Sequence, residues 1–166
     1  MIGKQKKRWA RRGFTIVELA VVIAVIAILA TITSVSYTKV MAKSRATAHI
    51  TDLQTFQQAL ERYKTKNGNY PVSLSWTFQR EAPATFLSVL VPTYAQSLPD
   101  LPEGSVSSTD NNTYAYKTSA SGVDYKIIFL YRPSISTDEF NEVPARMKDG
   151  IYTDRYGLWS SGGKAL

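Results

Sequence analysis

The chain has 166 residues, a length that argues for one domain. Its formal charge is +7, but six cations (Lys4, Lys6, Lys7, Arg8, Arg11, Arg12) crowd the first twelve residues with no acid among them. The rest is close to neutral and lacks the distributed basic face of a nucleic-acid-binding domain. The absence of cysteine excludes a disulfide framework, a zinc ribbon and a thiol nucleophile, and a single histidine, His49, leaves little for a His-based metal site or a Ser-His-Asp triad.

Behind the basic arm, Phe14 to Tyr37 is a 24-residue segment with one charge, Glu18, and twelve successive apolar residues from Leu19 to Ala30. As a helix it would be about 36 Å long, enough for a hydrocarbon core of about 30 Å. Backbone groups in lipid must be paired internally, so the segment is predicted helical. Six cations precede it and Lys39, Lys43 and Arg45 follow, which places the N-terminus in the cytoplasm and the C-terminal body outside. A secretory signal peptide fits less well. Ser34-Val35-Ser36 is a poor cleavage site, Ala46-Thr47-Ala48 lies too far along, and the apolar run is long for such a signal. Glu18 is costly in a membrane span and is expected to have a partner.

The helical period continues beyond the span. Ala46, Ile50, Leu53, Phe56, Leu60 and Tyr63 recur at spacings of three and four, which marks one apolar stripe. No proline interrupts residues 14–66, Gly68 is placed as a C-terminal cap and Pro71 follows. One helix from Phe14 to Lys66, about 80 Å long, is predicted. His49 lies beside the stripe and reads as a partly exposed surface residue.

Residues 67–166 read as a small mixed domain. Asn67-Gly68-Asn69-Tyr70-Pro71 is a turn signal, Ala84 to Val91 suits a short helix or a helical turn ended by Pro92, and Pro99 and Pro102 bracket a loop. Thr113–Thr118 and Val123–Tyr131 form a predicted hairpin about Ser119-Ala120-Ser121-Gly122. Gly150–Thr153 and Tyr156–Ser160 form a second, turning at Asp154-Arg155, with a polar loop before it and a flexible end at Ser160-Ser161-Gly162-Gly163. A small antiparallel sheet needs a cover, and the striped half of the helix supplies it. The expected class is α+β. Its parts are a basic leader (1–13), an apolar half-helix (14–38), an amphipathic half-helix (39–66) and a globular body (67–166).

No phosphate loop, HExxH or Gly-x-Ser-x-Gly motif is present, so no catalytic residue is expected. Exposed aromatics beside cations could stack on single-stranded DNA, but tyrosine at half-buried strand positions accounts for most of them. Trp76 and Trp159 read as core or edge anchors.

Arg12-Gly13-Phe14-Thr15-Ile16-Val17-Glu18-Leu19 resembles the cleavage and methylation signal of type IV pilins and type II secretion major pseudopilins. The resemblance implies cleavage between Gly13 and Phe14 by a prepilin peptidase and methyltransferase, with methylation of the Phe14 amine. It implies that Glu18 pairs with the Phe14 amine of a neighbouring subunit in a helical homopolymer. Other implied partners are an inner-membrane assembly platform and, before assembly, membrane lipid. The implied location is the inner membrane, N-terminus inside, followed by a cell-surface or periplasmic filament. Asn67-Gly68-Asn69-Tyr70-Pro71 and Leu90-Val91-Pro92-Thr93-Tyr94 are similar to segments after the long helix in that family. Many members close a C-terminal loop with a disulfide. Without cysteine, this chain must hold the loop by packing or by calcium, for which Asp149 and Asp154 are the candidate ligands by family parallel. The alternative is a single-pass, membrane-anchored extracytoplasmic binding module that does not polymerise.

Overall fold

The computed structural model describes residues 14–100, 112–131, 135–150 and 152–166, with backbone alone at 32–36. The chain divides into two units, Met1–Thr38 and Lys39–Leu166. One helix, α1, runs Ile16–Asn67. It ends where the sequence places its cap: Gly68 takes φ +84°, and its N–H donates to Lys64 O at 2.7 Å. A residue with a Cβ is strained in that conformation, whereas glycine is not.

In the first unit the described side chains of α1 are exposed on every side. Eleven large apolar residues between Phe14 and Leu29 are open, Ile16 at 88 % and Leu29 at 57 %. Among the described residues no helix is long and apolar enough to cross a membrane. This corrects the sequence expectation of a 24-residue span. The described side chains of its helical part cover residues 16–31, and those of 32–36 lie outside the described set.

The second unit is built on the stripe. Ala46, Leu53, Phe56 and Leu60 are buried, with Ile50 and Tyr63 packed at the margin of the same core. They meet a four-stranded antiparallel sheet in the order β1 (Thr77–Phe78), β2 (Thr113–Thr118), β3 (Tyr125–Leu130), β4 (Arg155–Trp159). The registers are Thr77↔Tyr116, Thr113↔Leu130 and Lys126↔Trp159. Every residue of β3 is buried. Phe56 sits 5.2 Å from the Tyr114 ring and 5.8 Å from Phe86, which seats the helix on the sheet. The observed α+β architecture, a long N-terminal helix with an antiparallel sheet, is the expected one.

Several local expectations are corrected. Of the two forms expected for Ala84–Val91 the chain takes the helical turn: turns and a 3-10 helix, Ser88–Leu90, with Leu87 left-handed at φ 49°. Its run of apolar residues has only Phe86 and Leu90 fully buried, too sparse a face to hold a longer helix. Asp154-Arg155 is no hairpin turn, because Arg155 opens β4, which pairs with the free edge of β3. Gly157 permits this approach: a Cβ there would lie 2.1 Å from Ile127 O. The polar stretch at 137–142 forms a short helix, α2 (Thr137–Glu142), capped by Ser136 Oγ, which accepts from Glu139 N–H at 3.2 Å.

The expected flexible end at Ser160-Ser161-Gly162-Gly163 is instead clasped to the start of β3. Asp124 Oδ1 accepts from Ser160 Oγ (2.7 Å) and Gly162 N–H (3.0 Å), and Ser160 N–H donates to Tyr125 O. A Cβ on Gly163 would stand 1.9 Å from Tyr125 O, so backbone contact closes the clasp. Alternation along β3 turns Lys126 away from the face that carries Tyr125, Ile127 and Phe129. There its ammonium meets Asp149 at 3.0 Å and donates to Lys164 O at 3.0 Å, with both charged side chains buried. Trp159, ending β4, has its ring 5.6 Å from the same ammonium. Ion pair and backbone clasp thus secure the cysteine-free C-terminal region.

Removing one member of a buried pair strands the other charge at about 3–5 kcal/mol. Lys126→Met is expected to lose that much in denaturant unfolding of the detergent-solubilised chain, with Lys126→Met/Asp149→Leu recovering most of it. Equal losses in both variants would show that packing, not the charge pair, is what matters.

Candidate functional site

The site singled out by sequence lies where α1 begins. Ile16 is the first helical residue, so Thr15 occupies the capping position and Glu18 the third position of the helix. Glu18 N–H donates to Thr15 Oγ1 at 3.2 Å, while Glu18 Oε2 accepts from Thr15 N–H and from Thr15 Oγ1, both at 2.8 Å. This reciprocal arrangement is a capping box. It satisfies two N–H groups that a helix start leaves open, and it places a carboxylate at the positive end of the helix dipole.

The sequence reading missed the box although its signature, Thr-x-x-Glu before an apolar run, is present. The omission matters. Cost in an apolar setting led to an external cation as the partner of Glu18, yet part of that cost is met inside the chain. The box uses only Oε2, leaving Oε1 without a hydrogen bond among the described residues. Phe14 stands immediately before the cap and is 84 % exposed. Gly13 and the basic leader lie outside the described residues.

The candidate calcium ligands are not brought together as a cation site. Asp149 is paired with Lys126, and Asp154 is held by the Arg155 guanidinium at 2.8 and 3.2 Å. Among the described residues no group of three or more His, Cys, Asp or Glu is placed to hold a metal ion.

His49 is half-buried beside the stripe, as expected, and its ring is engaged. Its ring stacks on Phe129 at 4.0 Å, and Nδ1 lies 3.3 Å from Tyr114 Oη. Tyr114 donates in turn to Asp52 at 2.5 Å, and Tyr156 donates to buried Glu139 at 3.4 Å. Desolvation, aided by the Arg45 charge, lowers the His49 pKa to about 4. Burial raises the Asp52 and Glu139 carboxyls, and burial together with their carboxylate partners raises the Tyr114 and Tyr156 hydroxyls. The cluster has a neutral imidazole at neutral pH and phenols held as donors, and it packs helix against sheet.

The prokaryotic N-terminal methylation motif matches residues 10–34, so the chain carries the signal of type IV pilins and pseudopilins. No curated protein and no solved structure gives a significant match.

Because the folded-state pKa of His49 lies below its ordinary 6.5, the unfolded chain binds the extra proton between pH 6.5 and about 4. Through this group stability is full above pH 6.5 and declines as pH falls to about 4. Asp52 and Glu139 have raised pKa values and act in the opposite sense, so the contribution is read as a difference. Unfolding free energies at pH 7, 6, 5 and 4 should fall more steeply for the unaltered chain than for His49→Gln. Parallel curves would mean that the imidazole titrates normally.

Proposed function

We propose that this chain is a prepilin. It is cut between Gly13 and Phe14 and methylated on the Phe14 amine. It waits in the inner membrane on its apolar half-helix and then polymerises into a helical filament of a type IV pilus or a type II secretion pseudopilus. The observation that carries this reading is the methylation motif at residues 10–34, set on a helix whose described apolar side chains from Ile16 to Leu29 are exposed.

Lipid and a bundle of sister helices can each supply that cover. Fully burying one large aliphatic side chain is worth about 1.5–3 kcal/mol, so eleven left in water would oppose a free soluble monomer. Exchange of lipid for sister helices leaves the apolar environment nearly unchanged, and a repeated heterologous contact with a screw rotation gives an open filament. The role is structural, with no chemical step.

The cleavage product fits the geometry at the helix start. Cutting before Phe14 creates an ammonium one residue ahead of the N–H that Glu18 already accepts. The box holds the carboxylate through Oε2, leaving Oε1 for the ammonium of an incoming copy. Unpaired, the charge would stand in a low-dielectric helix bundle, where such losses are large. The capping box therefore fixes the direction of the carboxylate, and the amine of the neighbour completes its pairing.

Two results test this. Intact-mass and N-terminal analysis of the mature chain should find methylated Phe14 as its first residue, whereas retention of residues 1–13 would contradict the processing. Glu18→Gln keeps an acceptor for the cap and removes the charge, while Glu18→Ala removes both. Both variants should insert in the membrane yet yield few sheared filaments. Normal filaments from Glu18→Gln would mean that capping alone suffices and that no intersubunit charge pair is needed.

A further inference from the structure

His49 is the only histidine of the chain, and its ring meets two strands. It stacks on Phe129 of β3 at 4.0 Å, and Nδ1 lies 3.3 Å from the Tyr114 hydroxyl of β2. Asp52, three residues further along α1, holds the same hydroxyl through Oδ2 at 2.5 Å. Tyr114 is fully buried, while His49 and Asp52 are half-buried. One phenol thus joins an imidazole and a carboxylate that stand one helical turn apart.

A phenol donates one proton and can also accept at its oxygen, so counting protons sets the direction of this chain. With Asp52 ionised, the carboxylate only accepts, and the Tyr114 O–H is committed to Oδ2. The second contact then requires an N–H on His49 Nδ1, donating to Tyr114 Oη, and Nε2 is the bare nitrogen. With Asp52 protonated, its carboxyl donates to Tyr114 Oη. The Tyr114 O–H is then free to turn to His49 Nδ1, which accepts, and the ring carries its N–H on Nε2. Both states use the same three groups and the same two contacts.

We propose that His49, Tyr114 and Asp52 form a reversible latch, in which a proton taken up at Asp52 reverses both hydrogen bonds rather than breaking one, so that α1 stays tied to β2 as the surroundings acidify. Asp52 gains one proton from water. His49 returns its Nδ1 proton to water and takes another at Nε2, so the imidazole is neutral before and after and the net uptake is one proton. Without His49 the freed Tyr114 O–H would be buried with no acceptor, which is costly. The surrounding groups favour this order of protonation. Burial, then the charge of Arg45 one turn earlier on α1, hold the His49 pKa at about 4. Burial and the charge of Asp100 raise the Asp52 carboxyl, so its protonation favours the folded state as pH falls. Phe129 brings no charge, and Tyr156 of β4 and Glu139 of α2 are bonded to each other. Below about pH 4 both neighbours of Tyr114 are donors, and the latch opens.

The test is nitrogen-15 magnetic resonance of the full-length chain in detergent micelles, labelled at histidine, where one residue gives one imidazole signal set. Couplings from the carbon-bound ring protons report which nitrogen is protonated. At pH 7 the proton should be on Nδ1. Between pH 7 and 4.5 it should shift to Nε2 while the ring stays neutral and keeps its shielding by Phe129. Asp52→Ala, a change at a half-exposed position, should place the proton on Nε2 throughout this range. Tyr114→Phe should abolish the inversion. An Nε2 proton already at pH 7, an imidazolium with no neutral inversion before it, loss of the Phe129 shielding during the inversion, or an Asp52→Ala chain that keeps Nδ1–H would each overturn the proposal.

Discussion

The structure depends on a helical segment whose described side chains are apolar and open on every side. From residue 16 to residue 31 the side chains of α1 are apolar in every direction except at Glu18 and Thr31, and all are exposed. A helix that is hydrophobic all round requires a surrounding medium or a bundle rather than a single packing face. Beyond Lys39 the same helix changes character. Its apolar residues narrow to one stripe, and the sheet covers it. One continuous element thus serves two physical tasks, and the sequence divides them by where polar residues enter the helical period.

The globular part shows how a cysteine-free chain holds its C-terminal region. The strands and the turn after α1 pack tyrosines whose rings are buried and whose hydroxyls reach the edge of the core, as with Tyr116 of β2 to Pro71 O and Tyr70 of the turn to Glu61. On the far side of β3, Lys126 reaches the loop at Asp149 and the last turn at Lys164. Glycines at 157 and 163 allow the backbones to approach. None of these contacts requires a metal ion or a covalent bridge, and together they join three segments distant in sequence.

What could be read from sequence followed the strength of local periodicity. The stripe from Ala46 to Tyr63, the Gly68 cap and the β2–β3 pair were legible because spacing, turn chemistry and burial all agree there. β1 was not, because two residues carry no period, and it exists only through its pairing with β2. The second expected hairpin was misplaced because partner choice is non-local: β4 pairs along its length with β3 and keeps only an isolated antiparallel bridge, Lys148↔Tyr156, to the segment before it. The C-terminal clasp was hidden because Ser and Gly suit a loose tail and a close backbone contact equally well. At the candidate site, Glu18 was legible as an isolated acid in an apolar run. The Thr15–Glu18 box is legible as Thr-x-x-Glu before an apolar run, a signature that competes with the need of an isolated carboxylate for an external cation.

The central claim is that the apolar half of α1 is covered by other copies of itself. Because the chain has no cysteine, two can be introduced without background, at Ile16 and Leu29, both exposed apolar positions of that half. Treatment of sheared surface material with a short thiol cross-linker measures the claim directly. The account predicts a ladder of multiples of the chain, since each copy can link to two neighbours. Monomer alone, with both thiols open to water-soluble reagents, would contradict it.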